Sequence, residues 1–307
     1  MSLSVTGTIC IDTIETPDGT KRENILGGSG SYFAAAASKY VPTGLIAAVG
    51  EDFPSEFVDT LKGFDQLDIT GLEIRQGSKT FRWGGKYLED MDRRESLFTD
   101  LNVLGEAPAP VPDSLKGSPY LFLANMHPAA QADMRAQFTD AKLVVADTMD
   151  FWIDSARDDL ERMLKQVHGL VLNYDEAEQF TGVRNPVTAG RKLLEHGPRF
   201  VIVKKGEHGA ILVHTDGIAA LPAFPAEEVV DPTGAGDTFA GGLMGFLAQT
   251  DPDDPADYDT LRRAMAHGTV MASFTIETFS LERLQTLTTA QIAERYDAYA
   301  SMTHLRY

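Results

Sequence analysis

The chain has 307 residues, 43% of them hydrophobic, enough for one large α/β domain with a small appendage or for two domains. Its 45 acidic against 27 basic residues give a net charge of -18, which argues against nucleic acid or an anionic membrane as a partner. A single cysteine, Cys10, excludes an intramolecular disulfide, and with no signal-peptide pattern or membrane-length apolar run the expectation is a soluble cytoplasmic protein.

Residues 4–11 alternate enough Val, Thr and Ile to predict a strand ending in Asp12. An acid there lies where open α/β sheets bind ligands, although a turn acid is the plainer alternative. The polar stretch 13–25 with its Pro17-Asp18-Gly19 turn predicts a short hairpin outside the main sheet. Gly27-Gly28-Ser29-Gly30-Ser31 then opens an alanine-rich helix over 32–39, where small residues allow close approach to a ligand or to the sheet. A strand at 44–49 leads through Gly50-Glu51-Asp52 into a helix over 54–64. From 72 to 101 aromatic, glycine and charged residues alternate without helical period, including Phe81, Arg82, Trp83, Gly84, Gly85, Lys86 and Tyr87. Strands exposed on one face are expected there, forming a small separate sheet with the earlier hairpin.

Regular alternation returns after the proline-rich link 108–112. Strands are expected at 120–124, 143–146, 170–172, 200–203 and 210–213, and helices at 155–166, 175–180 and 188–195. Only Gly206-Glu207-His208-Gly209 and its flanks separate the last two strands, which predicts an antiparallel hairpin. Beyond an acidic loop at 250–259, helices are expected at 261–272 and 289–299.

The stretch 229–247 carries the clearest chemistry. A proline turn precedes Gly234, Ala235 and Gly236, then Asp237, then a run of small and apolar residues that reads as a buried helix. Small residues at a helix start leave N–H groups bare for an anion, and the same position favours a carboxylate. One reading is an Asp N-cap on a glycine-rich core helix. The other is a phosphate cradle beside a fixed base, suited to a phosphoryl transfer that begins by deprotonating a hydroxyl. No GxxxxGK[ST] loop is present.

DPTGAGDTFAGG, residues 231–242, resembles the C-terminal signature of the ribokinase-like, or phosphofructokinase B, family of carbohydrate and nucleoside kinases. The resemblance implies a three-layer α/β/α sandwich with a small β lid over the acceptor. Residues 1–12, 27–74 and 102–307 would form the large domain, and 13–26 and 75–101 the lid. It implies an ATP- and Mg²⁺-dependent phosphotransferase with Asp237 as base and Gly234, Ala235 and Gly236 as N–H donors. Asn173-Tyr174-Asp175-Glu176 resembles the family's NxxE magnesium motif, with Glu176 acting directly or through water; a helix cap is the alternative. Lys204 to Gly209 resembles the loop near the nucleotide phosphates, with Lys204, Gly206 and Gly209 as contacts, although the family commonly has a small hydroxyl residue where Lys204 stands. Asp231 and Thr233 match a monovalent-cation site, with K⁺ activation and a purely structural turn both open. His267 stands where relatives often carry an Asn beside the adenine, and an ordinary helix histidine is the alternative.

On the acceptor side the resemblance implicates Gly27 and Gly28, and Tyr32 replaces the Asn of ribokinase itself. Asp12 is the candidate for paired sugar hydroxyls, Trp83 or Tyr87 for stacking, Arg82 and Lys86 for a phosphate or carboxylate, and Asn125 and His127 for further hydroxyls. A sugar or polyol is the first choice of acceptor, a nucleoside the second. A sugar phosphate would need Arg75, Arg82 or Lys86 to converge. A catalytically idle nucleotide sensor is the rival from another class. The chain is expected to be a monomer or a homodimer through the lid.

Overall fold

The computed structural model describes residues 2–303, so the first and the last four residues of the expected large domain lie outside the described residues. The strands are β1 (Leu3–Thr6), β2 (Cys10–Glu15), β3 (Lys21–Gly27), β4 (Thr43–Gly50), β5 (Leu67–Arg75), β6 (Phe81–Tyr87), β7 (Arg94–Asp100), β8 (Tyr120–Leu123), β9 (Leu143–Ala146), β10 (Gly169–Asn173), β11 (Phe200–Lys204), β12 (Ala210–His214) and β13 (Gly217–Leu221). The helices are α1 (Ser29–Ala37), α2 (Ser55–Lys62), α3 (Asp113–Lys116), α4 (Pro128–Arg135), α5 (Asp150–Ser155), α6 (Arg157–Leu164), α7 (Tyr174–Thr181), α8 (Pro186–Leu194), α9 (Ala235–Thr250), α10 (Tyr258–Thr275), α11 (Glu282–Thr286) and α12 (Thr289–Thr303).

Nine strands form the main sheet in the order β13-β12-β11-β10-β9-β8-β1-β4-β5. The run from β11 to β5 is parallel, and β12 turns back antiparallel to β11 as the short glycine link requires. Strands covered on both faces read as continuous apolar runs, and alternate residues divide between two cores. Leu3, Val5, Phe122, Val145 and Ile202 face α1, α9, α10 and α12, with the Phe33 and Phe122 rings stacked at 4.4 Å. Leu121, Leu123, Val144, Leu172 and Val201 face α4, α6, α7 and α8. The result is a three-layer α/β/α sandwich.

The second sheet has four strands in the order β3-β2-β6-β7. Here the expected strand at 4–11 is corrected: it is two strands in two sheets, parted by Gly7, Thr8 and Ile9. Asp12 therefore lies inside β2 of the small sheet and does not end the first strand of the large one. Thr8 and Ile9 are as buried as the strands beside them, so no polar break marks the crossing between sheets.

Candidate active site

The chain runs one way from β1 to β4 and β5, and the other way from β8 to β13. A ligand crevice is expected at such a switch point, outside the carboxyl ends of β1 and β8. Those ends are adjacent, with Thr6 in register with Leu123 and the Ala124 N–H donating to Thr6 O at 2.7 Å. The N-terminus of α9 faces this crevice. Gly234 caps it in the left-handed region, φ 76°, and the Tyr32 ring packs so closely against it that a Cβ would collide.

Ala235, expected to offer a free N–H, instead donates it to Pro232 O at 3.1 Å and closes the turn. Among the described residues no protein acceptor takes the amides of Gly236 and Asp237, so these remain free for an anion. Asp237 sits in the first turn of α9 but makes no cap hydrogen bond, which removes the N-cap reading. Its carboxyl is half-buried. Burial raises its pKa, while the charges of Lys204 and Arg94 pull it back.

Lys204 ends β11 and points inward: a Cβ on Gly236 would come within 2.5 Å of its Nζ. Lys205 follows it as the cap of a short 3-10 turn, Gly206–His208, which Gly209 closes at φ 82°. In β10, Asn173 is in register with Lys204. Asn173 and Glu176 form a reciprocal capping box on α7: Glu176 N–H donates to Asn173 Oδ1 at 2.8 Å, and Asn173 N–H to Glu176 Oε2 at 2.7 Å. One Glu176 oxygen and the Asn173 amide nitrogen lie outside that box. Burial pushes the Glu176 carboxyl up to about 7, against the pull of Lys204.

The sequence reasoning passed over Asp147, which directly follows β9. It is buried, its Oδ1 has no partner, and burial and the Asp237 charge raise it well above the carboxylate range while Lys204 opposes them. Its signal was available: Asp147, Asn173 and Lys204 all stand at carboxyl ends of neighbouring parallel strands.

On the acceptor side Asp12 is buried, with Oδ1 unpartnered and Oδ2 pressed against Gly27, where a side chain would not fit. Burial pushes it to about 7, the Cys10 thiol lowers it by donating a hydrogen bond, and Asp231 and Asp237 add to the rise. Gly28, φ 96°, caps α1. Trp83 is the register partner of Asp12 and shares its face of the small sheet. Arg82 pairs with Ile11 and takes the opposite face, where it donates to Asn24 Oδ1 at 3.1 Å and lies 3.8 Å from Asp52 Oδ2. The substrate contact expected of Arg82 is therefore not on the face that carries Asp12 and Trp83. Asn125 is locked at both ends, accepting from Trp152 Nε1 at 2.8 Å and donating to Met149 S at 3.0 Å.

His267 has the surroundings of an ordinary helix histidine. Its ring is stacked between Phe246 at 4.1 Å and Tyr296 at 4.3 Å, and burial lowers its pKa to about 4. With both faces covered it has none left for an adenine. Asp231 Oδ1 accepts from the Thr233 N–H at 2.9 Å, its buried Oδ2 is unpartnered, and the Thr233 hydroxyl meets the Tyr87 hydroxyl at 2.9 Å.

Residues 114–286 match the model of the pfkB family of carbohydrate kinases, which is more than half of the chain. The chain belongs to this family. A cytidine kinase of Thermococcus kodakarensis is 30% identical over 258 residues, 82% of this chain and 90% of that one. A 2-dehydro-3-deoxygluconokinase of Thermoproteus tenax is 28% identical over 263 residues, 80% of each chain. An Escherichia coli protein described as a ribokinase II, solved with ATP and Mg²⁺, shares the pfkB fold of this chain: the TM-score is 0.77 at 19% identity, covering 97% of this chain and 99% of that one.

Proposed function

We propose that this pfkB-family kinase transfers the γ-phosphoryl group of ATP to a hydroxyl of a sugar or polyol. The observation that carries the reading is Asp237, a reachable carboxylate beside two free helix amides and the Lys204 ammonium. The triphosphate would lie with its terminal group toward the amides of Gly236 and Asp237, whose field strengthens as charge develops on the transferred oxygens. Asp237 would take the acceptor proton as the new P–O bond forms, with Asp12 fixing a neighbouring hydroxyl through its unpartnered oxygen.

The donor set also fits a hydrated Mg²⁺. Among the described residues no group of three or more His, Cys, Asp or Glu side chains could cage a metal, yet Glu176 keeps an oxygen outside its capping box and Asp147 Oδ1 is orphaned. When bound, Mg²⁺ supplies charge neutralisation at the phosphates and keeps much of its water, which suits carboxylates that reach it through water. The buried, unpartnered Oδ2 of Asp231 suits a K⁺ beside the cradle.

A nucleoside acceptor is the second reading, supported by the cytidine kinase relative and by Trp83 sharing the face of Asp12. A sugar phosphate is disfavoured: Arg75 is bound to Glu73 and Glu106, Arg82 is turned away, and Lys86 takes the Arg82 face. A coupled ADP-release screen over sugars, polyols, nucleosides and sugar phosphates tests all of these. No acceptor-dependent release from any class would sink the kinase reading, and release confined to nucleosides would replace the sugar.

A further inference from the structure

The hairpin joining β6 to β7 touches the donor side at two points. At its base the Tyr87 hydroxyl meets Thr233, the residue before the Gly234 cap. Near its tip the Asp92 carboxylate packs onto Gly206, closely enough that a Cβ there would collide. Arg94, the first residue of β7, is the cross-strand partner of Tyr87 and so lies on the face turned toward the cradle. Its guanidinium sits 5.6 Å from the centroid of the Trp83 ring, which lies along Gly85 on that same face. Neighbouring Arg93 is tied to Asp90, whereas Arg94 forms no ion pair among the described residues. Its charge nevertheless reaches the site, holding down the carboxyls of both Asp237 and Glu176. This exposed arginine rests on the Trp83 ring and makes no hydrogen bond or ion pair among the described residues, so its guanidinium N–H groups are free for a ligand.

We propose that Arg94 contacts the phosphoryl group in transfer and neutralises charge on its oxygens. The inference rests on the kinase reading of the site. As the acceptor oxygen bonds to the γ-phosphorus, its proton passes to Asp237, and the bond from that phosphorus to the bridging oxygen breaks with its electron pair leaving on ADP. Arg94 stays protonated throughout and donates N–H bonds to the equatorial oxygens. Because it is carried on the small sheet, it arrives with the segment that covers the acceptor, so charge neutralisation is tied to closure. Its planar fork suits two phosphoryl oxygens at once, which a lysine ammonium does not reproduce.

The test uses the full chain and its Arg94→Ala, Arg94→Lys and Arg93→Ala variants, each shown to keep the ATP-induced rise in Tm. ATP turnover is measured with D-ribose, with cytidine and with water alone as acceptor. Arg94→Ala should lower kcat about 10²–10³-fold, somewhat less than an arginine finger supplied by a partner because Lys204 and the α9 amides share the charge. KM for ATP should stay within about threefold of wild type, and Arg94→Lys should recover little. Added methylguanidinium should restore part of the Arg94→Ala rate, which a merely structural loss would not allow, and Arg93→Ala should match wild type. An Arg94→Ala kcat within about fivefold of an active wild type, or a loss confined to KM, overturns the role of Arg94 and leaves the kinase reading standing. A wild type that binds ATP but transfers its phosphoryl group to no acceptor, water included, overturns both.

Discussion

Asp237 and Asp12 carry the same functional group in two settings, and the difference supports the separate tasks proposed for them. Asp237 is half-buried, free of cap hydrogen bonds and beside Lys204, so it can meet a hydroxyl and exchange a proton. Replacing it by Asn keeps the shape and removes the basicity; kcat should fall about 10²–10⁴-fold while ATP still binds. An unchanged kcat would refute the base assignment. Its pKa, raised by burial, also shifts the acidic limb of the kcat/KM profile upward from that of a free aspartate, with activity lost as pH falls. Asp12 is fully enclosed. Burial holds it and Glu176 at about 7 and Asp231 at about 6. The folded chain thus keeps protons that the unfolded chain releases, so the stability from these groups is complete below roughly pH 4 and is lost as pH rises through roughly 6–7. Asp12→Asn should therefore be more stable than wild type at pH 8 by about 1–2 kcal/mol, roughly 2–3 °C in Tm, and should lose most of that advantage at pH 5. Thermal melts of the ligand-free chain at both pH values decide it; an equal gain at both would mean that burial of the charge is not the cause.

At the scale of elements, α9 is the part on which the site is built. Its apolar run, Phe246 apart, is buried between α1 and α10, and glycines let those neighbours close in: a Cβ on Gly241 would come within 2.5 Å of Phe33 O, and one on Gly242 within 2.7 Å of Met271 Cγ. That packing fixes the direction of the helix and so the direction of its free amides. Gly234 joins this rigid body to the crevice in a conformation that favours glycine, with the Tyr32 ring against it. Gly234→Ala should cost about 1–3 kcal/mol of stability from strain and displace Tyr32. Turnover should fall more than the fraction of folded protein, because the amides are re-aimed. Activity that simply tracks the folded fraction would contradict this.

For the whole molecule, the small sheet and the main body meet at the proposed donor site through Tyr87 with Thr233 and Asp92 with Gly206, and Asp12, the proposed acceptor contact, stands on the small sheet. Donor and acceptor should therefore stabilise the chain together. ATP with Mg²⁺ at about a hundred times its Kd should add about 2.7 kcal/mol, and an acceptor that closes the small sheet should raise Tm further. Additive acceptor stabilisation with no fall in ATP hydrolysis by water would mean that the small sheet does not seal the site.

The sequence by itself determined the three-layer plan, because a parallel sheet buried on both faces must be written as short apolar runs between amphipathic helices. It also located α9 and its acid, since small residues leave the unpaired amides of a helix start uncovered. The hairpin of β11 and β12 was legible from its glycine-bounded link. Tertiary structure alone decided which side chains share a face. Continuous Val, Thr and Ile lettering hid the passage from β1 to β2, so only the sheets reveal that Asp12 belongs to the smaller one. Arg82 and Trp83 are adjacent in sequence, yet the pleat sends one to Asn24 and the other to the site. His267 was read by position, but its chemistry is set by Phe246 and Tyr296, which packing brings from two other helices. Asp147 was missed because a lone acid after a strand carries no spacing signal; its burial beside Asp237 and Lys204 is a property of three dimensions.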